Sequence, residues 1–570
     1  MSSSLLPDLF ALSFDCCHPC FLFSLTLCSA CRHPYIMFSL LCVMDVVILT
    51  SYSLCPVFCM SSSLLSLLKE IAPEIFVPLG HIFNLSITTG IFPKELKRSR
   101  VVPIFKSGDP TSCDNYRPIS LVSSISKILE KIVASKLTAH LESNNLLYKH
   151  QYGFLKGKST EHNLLHLTNK IGEALNDNKF CIGIFLDLKK AFDVVSHQIL
   201  LKKLKTLGIN GTTLNWFISY LSNRTQQVDI KGTLSDSRSL DISVLQGTIL
   251  GPILFLCFIN DLPLSTDLLS FLFADDTSCI ASDSNLENLI QHVNIELQKL
   301  ANWFRSNKMA VNISKTKYII FHRKGQKINL NGCEVLFNEN EIGKDVDPTK
   351  ITPLERIHDN HPTKECKTYK LLGVHLDESL SFKPHIDITC NKISKSLYCI
   401  NRAKNFLSKK ALKSLYFALI HPHLLYCINI YSIATSSNLK RLNLLQKRAI
   451  RIINKSPYLA HTQPLFTESK VLPLDKLIIQ AKLLFMHSIE YGYGPISFFE
   501  TWQKNHQRNQ NLNLRNADDF YLPAPKYDFF KRIPVYSLPN EWNNLAEEIK
   551  YQFNRTTFKI AVKSHLSEQI

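Results

Sequence analysis

The sequence lacks several patterns that would assign it to a common class of protein. No segment repeats at a fixed spacing and no heptad pattern is present, which excludes a solenoid and a long coiled coil. The start of the chain has none of the basic residues that open a signal peptide. Gly157-Lys158-Ser159 does not follow a Gly five residues earlier, which excludes the eight-residue phosphate loop of ATP-binding proteins.

Cysteine and acidic residues are both scarce over most of the chain. Eight of the 17 Cys lie in residues 1–60 and nine in the other 510. The low density in residues 61–570 excludes a disulfide framework in that part of the chain and is typical of a reduced, intracellular protein. Lys and Arg (65) outnumber Asp and Glu (47), which gives a net charge of +18. An excess of positive charge favours a polyanionic partner, either nucleic acid or an anionic membrane surface. The low cysteine density and the positive charge together lead us to expect an intracellular protein of the nucleus or the cytoplasm.

Residues 1–60 differ from everything that follows, because they are rich in Leu, Phe, Ser and Cys and almost uncharged. Two Cys-x2-Cys pairs there imitate a zinc spacing, but the seven residues between them are few for a zinc ribbon. Residues 46–68 are uncharged and long enough to span a bilayer, although Pro56 and several Ser weaken that interpretation. We expect a poorly structured leader outside the main domain, with membrane contact through 46–68 as the alternative.

Two adjacent carboxylates, Asp275 and Asp276, end the apolar run 268–274, a pattern that predicts a buried strand entering a turn. Such pairs are common in ordinary polar turns. Buried carboxylates repel each other, however, and a divalent cation is their natural partner. A third carboxylate decides between the two interpretations, and Asp187 supplies it at the end of a second apolar run, 181–186.

If the two strands are neighbours, their carboxylates converge at one edge of a sheet. Two divalent ions held ~3.5–4 Å apart there could clamp an in-line phosphoryl displacement. Mg²⁺ suits a site of few carboxylates and substrate phosphates, and Mn²⁺ is the alternative. Lys106 and Arg117 flank one loop and could grip a phosphate, or could be solvated surface charges. Asp193, six residues after Asp187, is expected to be a local cap or salt-bridge partner.

Two further patterns concern secondary structure around this site. Ser284-x-x-Glu287 has the spacing of a capping box ahead of an amphipathic helix. Residues 324–367 are polar and irregular, which predicts a loop insertion.

From about Ser61 to about Lys455, the chain resembles the reverse transcriptase of non-LTR retrotransposons, specifically the jockey-like group. One such stretch would be a weak signal, but seven in the family's order are specific. The matching stretches are Val101–Asp109 with Tyr116–Leu121, His150–His162, Phe185–His197, Gln246–Leu262, Phe273–Thr277, Asn312–Thr316 and Tyr369–Asp377. The chain departs from the family pattern at Leu245, where Pro is usual, and at Phe273, where Tyr is common.

The resemblance implies an α+β fold, a right-hand polymerase with fingers, a palm built on an antiparallel sheet and a helical thumb. A mostly helical C-terminal region is expected to follow. Full elements usually carry an endonuclease before the polymerase, and 60 residues cannot contain one, so we expect none in this chain. The expected divisions are a leader over 1–60, fingers and palm over 61–377 with core motifs over 87–377, a thumb-like region over 378–460 and a retroelement tail over 461–570.

The implied function is that of an RNA-directed DNA polymerase, a nucleotidyltransferase that extends a DNA 3′-hydroxyl on an RNA template. Its expected partners are the RNA template, a DNA primer or nicked target, and dNTPs, with no obligate protein partner. Its expected cofactor is a pair of Mg²⁺ ions. The alternative is a catalytically inactive relic of a retroelement that only binds nucleic acid.

Roles implied by the resemblance are carried over residue by residue. The carboxylates that hold the metals are Asp187, Asp275 and Asp276, and Lys315 is the candidate proton donor to the leaving pyrophosphate. The hairpin over 369–376 supports the primer at the base of the thumb. The residues that contact the incoming nucleotide are Lys106, Arg117, Phe192 (which blocks a ribose 2′-hydroxyl), Gln246 and Gly247.

Overall fold

The computed structural model describes residues 70–330, 332–338, 351–359, 367–508 and 516–569. The leader over 1–60, with its cysteine pairs, and the candidate membrane segment over 46–68 lie outside the described residues. In the part of the chain that is described, no helix is both long enough and apolar enough to cross a bilayer.

The described residues form a mixed structure of helices and strands, as the sequence predicts at this coarse level. The strands are β1 (Arg98–Phe105), β2 (Tyr116–Leu121), β3 (Phe180–Leu186), β4 (Arg224–Ile230), β5 (Thr233–Leu234), β6 (Arg238–Leu240), β7 (Leu269–Phe273), β8 (Asp276–Asp283), β9 (Lys317–Phe321), β10 (Leu336–Asn338), β11 (Ile351–Pro353), β12 (Glu355–Ile357), β13 (Tyr369–Leu371) and β14 (Val374–Leu376). The helices are α1 (Ala72–Thr89), α2 (Ser124–Ser143), α3 (Thr160–Asn176), α4 (His197–Thr206), α5 (Gly211–Leu221), α6 (Leu250–Ile259), α7 (Leu286–Ser306), α8 (Lys383–Ala403), α9 (Lys409–Leu419), α10 (His421–Leu425), α11 (Ile428–Tyr431), α12 (Ser436–Ile453), α13 (Gln463–Ser469), α14 (Leu474–Glu490), α15 (Ile496–Phe499), α16 (Asn505–Arg508), α17 (Pro534–Asn543), α18 (Glu547–Lys550) and α19 (Arg555–Glu568).

The central sheet has five strands in the order β12-β9-β3-β8-β7, and every neighbouring pair except β12 and β9 is antiparallel. Successive residues of β3 point to opposite faces. Ile182 and Ile184 belong to one hydrophobic cluster, whereas Cys181 and Phe185 belong to another. A strand that is buried on both faces has an uninterrupted apolar sequence, which explains why this run was detectable.

The two faces of the central sheet are covered by different parts of the chain. On one face lie helices from the first half, including α2, α4, α6 and α7. On the other face lie α3 and most of the helices from α8 onward, together with the β13–β14 hairpin. The C-terminal helices therefore share their core with the back of the sheet.

A second sheet lies beside the first and has the strand order β2-β1-β4-β5, with β6 also paired to β4. Its strands β1 and β2 form an antiparallel hairpin in which Ile104 is opposite Arg117. Lys106 follows β1 directly, and its backbone N–H donates to the carbonyl of Asn115 (2.9 Å). Lys106 and Arg117 are therefore held on one hairpin.

The structure differs from two expectations about local structure. The N-cap of α7 is Asn285, whose side chain accepts from the N–H of Asn288 (3.1 Å), and not Ser284. The Asp283 carboxylate accepts from the N–H of Asn285 (2.7 Å) and the hydroxyl of Ser284 (3.4 Å), which engages the serine elsewhere. Within the predicted loop over 324–367, the described residues form β10, β11 and β12, three-residue strands that are too short to show a periodic pattern.

Candidate active site

The Asp275-Asp276 pair lies on the hairpin between β7 and β8. Phe273 is opposite Asp276, so Ala274 and Asp275 make a two-residue turn and Asp276 begins β8. Ala274 has φ 58°, in the left-handed region where glycine is usual and an L side chain costs energy. The turn thus holds an unfavourable backbone conformation beside the two carboxylates.

Asp187 emerges at the same edge of the central sheet. It directly follows β3, the neighbour of β8, and Leu186 lies opposite Thr277. The strand that leads into the Asp275-Asp276 turn, β7, is one position further away. The N–H of Asp187 donates to the hydroxyl of Thr316 (3.2 Å), and its carbonyl accepts from the N–H of Asn312 (2.7 Å). Asp187 is therefore anchored at the position that its sequence pattern predicted.

The three carboxylates are close enough to affect one another. Burial raises the pKa of Asp276 to about 6, and the charges of Asp275 and Asp187 contribute to this increase. Burial also raises the pKa of Asp275, with a further contribution from Asp187, whereas Arg117 and Lys106 oppose the increase. Positive side chains from the second sheet thus act on the acidic edge of the first.

The donor set fits a divalent cation of the Mg²⁺ class. Among the residues that the structure describes, no three His, Cys, Asp or Glu side chains form a closed ligand cluster. Mg²⁺ does not require one, since it usually binds one or two carboxylates and completes its shell with water and substrate phosphates. Burial and, after it, the charges of Asp275 and Asp187 raise the pKa of Asp276, and a bound cation would favour the charged carboxylate against both.

Lys315 lies beside this edge. Its Nζ is 4.0 Å from a carboxylate oxygen of Asp187, and 62% of its side chain is exposed. An exposed pair at that distance contributes little to stability. The side chain therefore remains available for a ligand at the carboxylates.

The loop at Gln246-Gly247 is bound to the second sheet. The carbonyl of Gln246 accepts from the N–H of Ser120 in β2 (2.7 Å). Gly247 has φ +111°, and a Cβ there would lie 2.7 Å from the carbonyl oxygen of Ser120, so only glycine fits. The side-chain Nε2 of Gln246 donates to Asp193 (3.0 Å). The loop is therefore tied both to the second sheet and to Asp193, six residues after Asp187.

Phe192 is held by contacts with two other aromatic rings. Its ring stacks on Phe255 of α6 with centroids 4.5 Å apart and meets the edge of Phe154 at 6.2 Å. Its carbonyl accepts from the N–H of Val244 (2.9 Å), just before the Gln246-Gly247 loop. Ring and loop are thereby fixed relative to each other.

Glu130 supports this site but gives no signal in the sequence. Its buried carboxylate accepts from the N–H groups of Ile249 (2.8 Å) and Leu250 (3.4 Å) and from the hydroxyl of Ser126 (3.0 Å). Burial raises the pKa of Glu130, whereas the charge of buried Arg224 lowers it. A Glu in an amphipathic helix ordinarily faces solvent, so its cap on α6 could not be foreseen.

Tyr369 brings the β13–β14 hairpin to the same edge. Its ring stacks on Phe185 of β3, with centroids 4.3 Å apart and planes 14° apart. Burial raises the pKa of the Tyr369 hydroxyl, and the charges of Asp276 and Asp187 raise it further. The hairpin predicted over 369–376 thus adjoins the carboxylates.

Comparison with known proteins assigns this region. The family model described as Reverse transcriptase (RNA-dependent DNA polymerase) matches residues 104–376. Residues 104–376 are a reverse transcriptase domain. All nine predicted site residues lie within this domain. The predicted resemblance to jockey-like non-LTR elements is confirmed by the relatives of the chain.

Those relatives come from transposable elements of Drosophila melanogaster. The probable RNA-directed DNA polymerase from transposon BS is 30% identical over 403 residues, which are 69% of this chain and 42% of that protein. The RNA-directed DNA polymerase from mobile element jockey is 29% identical over 416 residues, covering 70% of this chain and 42% of that protein. The corresponding protein of transposon X-element is 26% identical over 416 residues, covering 71% and 43%. The chain spans less than half the length of these relatives.

Among solved structures, apo telomerase from Candida tropicalis, truncated from its C-terminal domain, aligns with 41% of this chain and 52% of its own. The TM-score is 0.30 and the identity 13%, a similarity too low to add to the assignment.

Proposed function

We propose that the chain is an RNA-directed DNA polymerase that extends a DNA 3′-hydroxyl on an RNA template by adding nucleotides from dNTPs. The observation that carries this proposal is the acidic edge formed by Asp187, Asp275 and Asp276. Two cations of the second sheet, Lys106 and Arg117, act on that edge through their charge. Neighbouring carboxylates under the influence of positive side chains are suited to metal-assisted transfer of a nucleotide from a triphosphate.

In this proposal the central sheet is the palm and the second sheet, with its β1–β2 hairpin, belongs to the fingers. Fingers and palm then occupy 61–377, the helices over 378–460 act as the thumb, and 461–570 is a tail region. The Gln246-Gly247 loop is bound to the second sheet through Ser120, and Gln246 also binds Asp193, six residues after Asp187. A nucleotide between the sheets would contact both.

Each site residue has a role in the proposed reaction. Asp187, Asp275 and Asp276 hold two Mg²⁺ ions, with Mn²⁺ as a substitute. When bound, these ions supply charge neutralisation and a lowered pKa for the attacking hydroxyl. The remaining residues bind, orient or protonate the substrate: Lys106 and Arg117 bind the triphosphate, Phe192 excludes a ribose 2′-hydroxyl, Gln246 and Gly247 line the new base pair, and Lys315 protonates the leaving pyrophosphate.

The proposed partners are an RNA template and a DNA primer or nicked target. The net charge of +18 favours binding of a phosphate backbone, with an affinity that falls as salt increases. Both nucleic acids are encountered in the nucleus or the cytoplasm, where we place the protein.

Primer extension by the purified full chain tests the proposal. With Mg²⁺ and dNTPs, the wild type should extend a DNA primer on an RNA template. Asp275→Asn should abolish extension, whereas Asp236→Asn, the same substitution at an exposed aspartate between β5 and β6, should leave it intact. Binding of the RNA–DNA duplex without any extension would contradict the proposal and favour an inactive nucleic-acid-binding relic.

A further inference from the structure

The segment His150–Gly153 runs beside β7, the strand that leads into the Ala274-Asp275 turn. The N–H of Tyr152 donates to the carbonyl of Leu272 (2.8 Å), and the N–H of Leu272 donates to the carbonyl of His150 (3.0 Å). The pairing is parallel. This segment is therefore an additional edge of the central sheet, next to the turn.

Gln151 connects this segment to the turn through one atom. Its Oε1 accepts from the N–H of Ala274 (3.0 Å) and from the N–H of Gly153 (2.8 Å). The residue is 2% exposed. A buried N–H without an acceptor costs free energy, and here a single amide oxygen serves two of them. One of the two belongs to the residue with left-handed φ.

Gly153 brings the two backbones unusually close. A Cβ at this position would lie 2.4 Å from the backbone nitrogen of Ala274, a distance that no side chain can accept. The segment and the turn therefore pack backbone against backbone. The conformation of the turn follows from this contact and from the Gln151 hydrogen bonds.

Resting on the proposed function, we propose that Gln151 is a positioning residue of the polymerase. Its amide oxygen fixes the Ala274-Asp275 turn in the conformation that presents the Asp275 carboxylate to a divalent cation. It contacts neither metal nor substrate, and it acts through Asp275. Groups that orient a metal ligand typically change metal affinity roughly ten- to hundredfold when they are removed.

The chemistry of the side chain supplies two informative variants. Its Nε2 is buried and has no hydrogen-bond partner among the described residues, so only the oxygen carries the interaction. Gln151→Met fills the same volume but cannot accept from Ala274. Gln151→Glu keeps an acceptor oxygen at the same reach. A role in packing alone would be served by Met, whereas a positioning role requires the oxygen.

Binding of Mn²⁺ to the full chain, followed by the electron paramagnetic resonance signal of free Mn²⁺, tests this proposal without requiring catalysis. Binding that disappears in Asp275→Asn defines the site. We expect Gln151→Met to weaken this binding roughly ten- to hundredfold. Gln151→Glu should retain it, and the Mg²⁺ concentration for half-maximal primer extension should follow the same order.

Gln446→Met is the matched structural control, because Gln446 is equally buried and hydrogen-bonded but lies in α12. It should lower thermal stability without changing Mn²⁺ binding. Wild-type Mn²⁺ affinity in Gln151→Met would overturn the proposal, as would equal loss in both Gln151 variants or no Asp275-dependent binding in the wild type. Asp275-dependent Mn²⁺ binding without primer extension would instead refute the proposed polymerase activity. The Mn²⁺ affinities of the Gln151 variants would still decide whether Gln151 positions the turn.

Discussion

Some positions at the site accept only one type of residue, and Gly247 is the clearest case. Its φ of +111° is unfavourable for other residues, and a Cβ would collide with the carbonyl of Ser120 at 2.7 Å. Gly232, in the turn between β4 and β5, has φ +92° but open space around its missing Cβ. Comparison of the two glycines separates backbone strain from collision.

We expect Gly247→Ala to reduce primer extension at least about tenfold, because the loop must move away from β2. Gly232→Ala should leave extension within a factor of about two. Each variant should lose roughly 1–2 kcal/mol of unfolding free energy from the left-handed conformation alone. Urea unfolding and initial extension rates measure both effects. Equal extension rates in the two variants would show that the contact with Ser120 is unimportant.

The sequence predicts individual strands better than it predicts how they pair. Apolar runs ending in Asp187 and Asp275 predict β3 and β7 well, because both faces of these strands are buried. The pairing of β3 with β8 rather than β7 depends on contacts between distant residues, which local patterns do not contain. Glu130 and Gln151 show the same limit, because each binds backbone N–H groups more than 100 residues away.

The position of α6 depends on Glu130, and removing its carboxylate should be costly. Glu130→Ala leaves the N–H groups of Ile249 and Leu250 without an acceptor and the buried charge of Arg224 without its counter-charge. We expect a loss of about 3 kcal/mol in unfolding free energy. Glu130→Gln keeps one acceptor oxygen and should lose about 1 kcal/mol.

Urea unfolding of the two Glu130 variants measures this difference. A loss below about 1 kcal/mol in Glu130→Ala would indicate that water replaces the carboxylate. The cap would then not be what positions the start of α6.

The molecule as a whole is joined through α3, which lies between the central sheet and the C-terminal region. Asn169 accepts from the N–H of Val535 (2.8 Å), and His166 stacks on Phe498 with ring centroids 3.9 Å apart. A Cβ on Gly172 would lie 2.7 Å from Ile533. The C-terminal region thus packs tightly against α3, which itself covers one face of the sheet that carries the carboxylates.

This junction makes stability depend on pH. Burial lowers the pKa of His150 and His162 to about 4 and that of His166 to about 2, against 6.5 for a free histidine. The unfolded chain binds protons that the folded chain excludes, so these groups contribute fully above pH 6.5. Their contribution falls as the pH decreases from 6.5 towards 4. Each should lose about 2 kcal/mol between pH 7 and pH 5.

Urea unfolding at pH 7, 6 and 5 measures this effect when variants are compared with the wild type. His166→Gln should reduce the pH dependence by about 2 kcal/mol, since Gln does not titrate. His506→Gln makes the same substitution at an exposed histidine and serves as the control. An unchanged slope in His166→Gln would show that His166 protonates in the folded protein.

We propose above all that the acidic edge of the sheet performs nucleotide transfer on an RNA template. Single-turnover addition of one complementary dNTP to a DNA primer annealed to RNA tests it most directly. Asp275→Asn should lower this rate by roughly a thousandfold or more, while folding and duplex binding stay as in the wild type. Equal rates in the wild type and Asp275→Asn, or a wild type that adds no nucleotide, would contradict the claim.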